Sequence, residues 1–217
     1  PLNYTDDSGE LVGFETEFAK AVCEKMGVTP EFYEINWDSK EMELNAKSID
    51  CIWNGLTITP EREETMALSK PYLENRQVLV VKAENADKYT ASVDGANVVA
   101  EAGSAGSELA AEDEFFANAA YTDVQSQATA LMDVASGTAD VAIIDYVMAG
   151  SSVGEDTDFS DLTIIDKGYD SEKYGIAFRK GSDAAAEVDT IITELVNDGT
   201  LKSIADKYGL SDLLIAE

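Results

Sequence analysis

The chain has 217 residues, enough for one large or two small domains. Its 45% hydrophobic content is that of a globular protein, while 15 basic against 43 acidic residues give a net charge of −28, a field that repels nucleic acid and anionic lipid. There is no histidine, and the two cysteines, Cys23 and Cys51, form no metal-ligand spacing, so zinc chemistry and histidine acid–base catalysis lack support.

Phe14, Phe18, Ala21, Val22 and Met26 recur near helical spacing and Gly27 stops the run, which predicts a helix over 14–26. Glu31 to Ile35 reads as a short strand. Asp38 to Lys47 reads as a helix, with Asp38 and Glu41 at capping-box spacing. Ile49 to Trp53 is an apolar strand, followed by a short helix near 60–66 and a β-branched strand over Gln77 to Lys82. The pattern then restarts. Asn97 to Ala100 is a strand, and the turn Gly103-Ser104-Ala105-Gly106-Ser107 feeds a helix through about Ala119. A strand at Tyr121, a helix over Gln125 to Ser136 ended by Gly137, a buried strand from Asp140 into Asp145 and a short helix over 146–150 follow. Strands over Leu162 to Asp166 and Tyr174 to Arg179 precede two closing helices near 183–197 and 200–208.

Strands alternating with helices predict mainly parallel α/β sheets, in which ligands bind beyond the carboxyl ends of the strands. Three polar segments fall at such ends: Asn54 to Thr57, Gly103 to Ser107, and Asp145. The first leads into Ile58-Thr59-Pro60-Glu61-Arg62. There Thr59 suits the N-cap, Pro60 the first helical position, and Arg62 adds a planar fork for a carboxylate. The plainer alternative is a capped surface helix with a solvated arginine.

The acidic excess is scattered (Asp6-Asp7, Glu63-Glu64, Glu112-Asp113-Glu114), as on solvated faces, and would also suit a salty medium. No apolar run approaches the roughly 18 residues that span a bilayer. No signal peptide is seen, so any export signal is expected to have been removed or never to have existed. Cys23 on a helix and Cys51 on a strand are either two buried thiols or a disulfide.

The ordered strings Gly9 to Glu15, Ile49 to Arg62, Ser69-Lys70-Pro71-Tyr72, Gly103-Ser104, Ser136 to Asp145, Tyr174 to Gly181 and Asn197 to Thr200 resemble the polar amino-acid solute-binding proteins of bacterial ABC importers, the family 3 extracellular binding proteins. The resemblance implies a two-lobed, type II periplasmic-binding-protein-like α/β fold. Lobe 1 would be about 1–72 plus 175–217, lobe 2 about 77–170, with crossover hinges near 73–76 and 170–174. It implies a non-catalytic receptor that takes up a free L-amino acid between the lobes, needs no cofactor, and delivers its cargo to an ABC permease. Its place would be extracytoplasmic, in a periplasm or as a lipoprotein on a Gram-positive cell surface.

The family's roles carry over residue by residue. Arg62 would pair with the ligand α-carboxylate, helped by Thr57 and by amides near Ser104 and Ala105. Asp145 would accept from the α-ammonium, with the Gly55 carbonyl as second acceptor; otherwise Asp145 caps the next helix. Trp37 falls where the family places an aromatic or apolar wall, unless it is core packing. Glu101 matches a position that contacts the ligand side chain and would select a cation or an amide, unless it is a surface charge. Gln125 is a weaker candidate, and Arg76 reads as a hinge surface residue.

One departure stands out. The family begins with a strand and an aromatic-bearing loop before the equivalent of Pro1, so lobe 1 is expected to carry unpaired ladder groups: either the chain is a fragment, or another segment or an oligomeric partner fills the gap, or lobe 1 is rearranged. Two rivals share the scaffold: a cyclohexadienyl-dehydratase-like enzyme with Glu101 or Asp145 as general acid, and the ligand-binding module of a receptor.

Overall fold

A computed structural model describes residues 1–216. The chain divides into two compact units: Pro1–Ile35, Lys40–Asn75 and the segment from Ser171 onward make the first, and Asn36–Ser39 with Arg76–Asp170 make the second.

In the first unit, the hairpin β1 (Tyr4–Thr5) and β2 (Leu11–Val12) precedes α1 (Phe14–Met26). Gly27 closes α1 in the left-handed conformation, as the run of apolar positions predicts. Phe14 and Phe18 face inward, and Phe18 meets the Trp53 ring edge-on at 4.9 Å and the Tyr72 ring at 5.4 Å. Then come α2 (Lys40–Asn45), β3 (Cys51–Thr57), α3 (Pro60–Thr65), β4 (Met66–Leu68) and β5 (Leu73–Asn75).

The second unit holds β6 (Gln77–Lys82), α4 (Ala86–Ala91), β7 (Asn97–Glu101), α5 (Ala105–Glu112), β8 (Ala120–Val124), α6 (Gln127–Ser136), β9 (Val141–Asp145), α7 (Tyr146–Ser152) and β10 (Leu162–Ile165). The chain then returns to the first unit with β11 (Glu172–Arg179), α8 (Ala184–Asn197) and α9 (Thr200–Lys207).

The first sheet is built around β11, against which β3, β4 and β5 all pair antiparallel. The second has the order β10-β6-β9-β7-β8, parallel where β9 meets β7 and β7 meets β8, antiparallel elsewhere. The sheets are therefore mixed, and parallel pairing is confined to the βαβ part of the second unit. There Val78 and Val80 pack on one face with Leu131 and Val134 of α6. Leu79 and Val81 pack on the other with Tyr89 and Phe116. Burial on both faces explains the unbroken apolar run of β6.

Three local expectations are corrected. Residues 31–35 form no strand: no described segment pairs with them, and a strand without a ladder partner leaves its polar groups to water. Tyr33 there is 63% exposed. Among the described strands, β3 stands at one end of the order of the first sheet.

The helix expected over 38–47 splits into a 3₁₀ turn, Trp37–Ser39, and α2. Asn36 rather than Asp38 starts it, because its side-chain oxygen accepts the Asp38 N–H at 3.1 Å. The helix after Ser104 stops at Glu112, since Asp113 accepts the Phe115 N–H at 2.8 Å and redirects the chain into a short 3₁₀ turn.

Candidate functional site

In the first unit the predicted anion corner forms as its sequence dictates. β3 ends at Thr57, Thr59 accepts the Arg62 N–H at 3.3 Å, and Pro60 opens α3. This short turn folds Arg62 back toward the strand, where its Nη1 donates to the Thr57 carbonyl at 2.8 Å. Arg62 is only 4% exposed and Thr57 6%. A guanidinium so far from water is costly to hold unless it is hydrogen-bonded.

Gly55 lies two residues before Thr57 at φ +57, a left-handed conformation, in the stretch of β3 where the pairing with β11 shifts register between Gly175 and Ala177. Its N–H donates to Glu15 Oε1 at 3.0 Å. Glu15 is buried on α1 and also accepts from the Tyr72 hydroxyl. Burial, reinforced by the Glu15 charge and this hydrogen bond, pushes the Tyr72 phenol well above its ordinary pKa, so Tyr72 acts as a donor. The Thr57 hydroxyl itself donates to Glu172 Oε2 at 3.1 Å, and the Asn75 amide donates to the same oxygen at 3.0 Å.

In the second unit, parallel β7 and β9 direct their carboxyl ends to the same edge of the sheet. Glu101 ends β7, Gly103 turns the chain at φ +68, and Ser104 caps α5 by accepting the Ser107 N–H at 3.2 Å. Ala105 is the first residue of that helix. α5 presses close to β9: a Cβ added at Gly106 would lie 3.0 Å from the Ile143 carbonyl oxygen and 3.1 Å from Gln77 Oε1.

Asp145 ends β9, and its carboxylate accepts from Gln77 Nε2 and from Gln127 Nε2, each at 2.6 Å. Asp145 makes no side-chain cap to α7, so the capping alternative falls away. Arg76 stacks on Tyr146 at 3.7 Å and pairs with Asp166 at 2.8 Å, a surface role. Trp37 lies in the 3₁₀ turn that groups with the second unit.

The structure thus gathers Gly55, Thr57 and Arg62 in the first unit, and Glu101, Ser104, Ala105 and Asp145 along one sheet edge in the second. Sequence reasoning missed Glu15, Asn75, Gln77, Gln127 and Glu172. The available signals were slight: an acid on the apolar face of α1, and a glutamine directly after a serine cap. No group of three or more Cys, Asp or Glu side chains among the described residues could hold a metal ion.

Residues 1–211 match the family profile of bacterial extracellular solute-binding proteins, family 3. The L-cystine-binding protein TcyJ of Escherichia coli (strain K12) is 29% identical over 98% of this chain and 80% of its own length. A substrate-binding protein of an ABC uptake transporter from Streptococcus pneumoniae, solved with bound histidine, superposes with a TM-score of 0.87 at 29% identity, covering 96% of this chain and 87% of that one. An ancestral amino acid-binding protein described as a precursor of cyclohexadienyl dehydratase superposes with a TM-score of 0.84 at 28% identity, covering 96% and 90%.

Proposed function

Because the chain belongs to the bacterial extracellular solute-binding proteins of family 3, we propose that it captures a free L-amino acid outside the cytoplasm and hands it to an ABC permease. The supporting observation is the pair of prepared, oppositely charged groups: Arg62, buried and anchored on Thr57, and Asp145, oriented by two glutamines.

In this reading Arg62, Thr57 and the amides at Ser104 and Ala105 take the α-carboxylate. Asp145 and the Gly55 carbonyl take the α-ammonium. Trp37 lines the side chain, and Glu101 faces its far end, which favours a cationic or amide side chain. The two units act as lobes, with crossovers near 73–76 and 170–174 as hinges, and the ligand's higher affinity for a closed state drives closure. The protein acts by binding and release, in a periplasm or at a cell surface, and needs no cofactor. No helix among the described residues is long and apolar enough to cross a membrane.

The test is isothermal titration calorimetry with single L-amino acids, beginning with L-histidine and L-arginine. Reversible binding of an intact amino acid, lost in Arg62→Ala, supports the reading. Turnover of a prephenate- or arogenate-like acid would instead favour an enzyme.

A further inference from the structure

We propose that Glu172 is an internal rival for the ligand's carboxylate and thereby sets the affinity of the site. The inference rests on the reading that Thr57 contacts that carboxylate.

The Thr57 hydroxyl has one proton to give, and in this structure it goes to Glu172 Oε2 at 3.1 Å. The acceptor is the same chemical group that the hydroxyl would meet on an amino acid. Glu172 is held in place from two sides. As the first residue of β11 it pairs in register with Asn75, and the Asn75 amide donates to the same oxygen at 3.0 Å. Backbone bonds on either side, Ile58 N–H to the Lys173 carbonyl at 2.8 Å and the Tyr174–Thr57 register, fix the spacing between the two side chains.

Thr57 is thus gripped twice: its carbonyl by Arg62 and its hydroxyl by Glu172. A ligand carboxylate that takes the hydroxyl must turn it away from Glu172, which keeps the Asn75 amide as a donor. Binding is then an exchange of one charge-assisted bond for another, and the net gain is smaller than for an uncommitted hydroxyl.

The experiment is calorimetric titration of the whole chain with L-histidine and L-arginine and with their carboxamides, which lack the anionic end. Glu172→Gln keeps an oxygen acceptor but removes the charge. It should tighten binding of the free acids about fivefold and leave the carboxamides unchanged. In the Thr57→Val background the gain should vanish, a coupling that general support of the fold would not produce. Thermal unfolding without ligand checks that each variant is folded.

Unchanged or weaker binding in Glu172→Gln, or equal gains for acids and carboxamides, overturns the inference. If Arg62→Ala still loses binding in that case, the reading of the site survives. If neither free acid binds the unaltered chain, the titrations are made with the other L-amino acids and their carboxamides, and failure of all of them to bind overturns the reading and the inference together.

Discussion

Gln127 grips Asp145 twice: its amide nitrogen donates to a carboxylate oxygen at 2.6 Å, and its amide oxygen accepts the Asp145 backbone N–H at 3.1 Å. One side chain therefore fixes both the position and the direction of the acid proposed to meet the ligand's ammonium. A carboxylate oriented in advance loses less freedom on binding. Gln127→Ala is expected to weaken amino-acid binding about tenfold with little change in melting temperature. Calorimetry alongside thermal unfolding checks this, and unaltered affinity would show the clamp to be dispensable.

Gly13 precedes α1 at φ +124, and a Cβ added there would lie 2.2 Å from the Leu2 carbonyl oxygen. That carbonyl also accepts the Glu15 N–H at 3.0 Å, so the tight approach places the very helix turn that delivers Glu15 to Gly55. Gly13→Ala is expected to cost about 2 kcal/mol or more in urea unfolding. A cost below about 0.5 kcal/mol would contradict the close approach.

Cys23 and Cys51 are both free thiols. Burial, with minor contributions from neighbouring groups, pushes the Cys51 thiol up to about 12, and burial also raises Cys23. The thiolate is the reactive form. Alkylation of Cys51 at pH 8 should therefore be slow in the native protein and rapid in denaturant, as mass spectrometry after timed quenching would show. Equal rates in the two states would contradict its burial.

Burial pushes the Asp140 carboxyl up, but the Asn97 N–H at 2.8 Å, the Tyr89 hydroxyl at 2.7 Å and the Lys88 charge outweigh it and leave the group below its ordinary value. A depressed carboxylate stabilises the fold above its unfolded pKa, and that contribution is lost as pH falls through the folded one. Below about pH 4 the unaltered chain should therefore lose stability more steeply than Asp140→Asn. Urea unfolding across pH 5 to about pH 2 measures the difference, and parallel curves would contradict it.

Much of this was legible in the sequence because it rests on local chemistry. Thr59, Pro60 and Arg62 form their cap and turn from adjacent residues, and Gly27 and Gly137 end their helices as left-handed caps. What escaped depends on distant partners. Residues 31–35 have strand-like composition, but strand formation needs a neighbour that no local pattern reveals. The helix expected to run to Ala119 ends early because one side chain, Asp113, competes for a backbone N–H. The polar support is nonlocal in the same way. Glu15 and Gly55 are far apart in sequence, as are Thr57 and Glu172, and only the fold joins them.

The most direct test is calorimetric titration of the unaltered chain, Arg62→Ala and Asp145→Asn with L-histidine and L-arginine. The expected result is binding of at least one amino acid by the unaltered chain, weakened about thirtyfold or more in each variant. Binding that survives intact in either variant would contradict the claim that opposite charges on these two residues hold the two ends of the ligand.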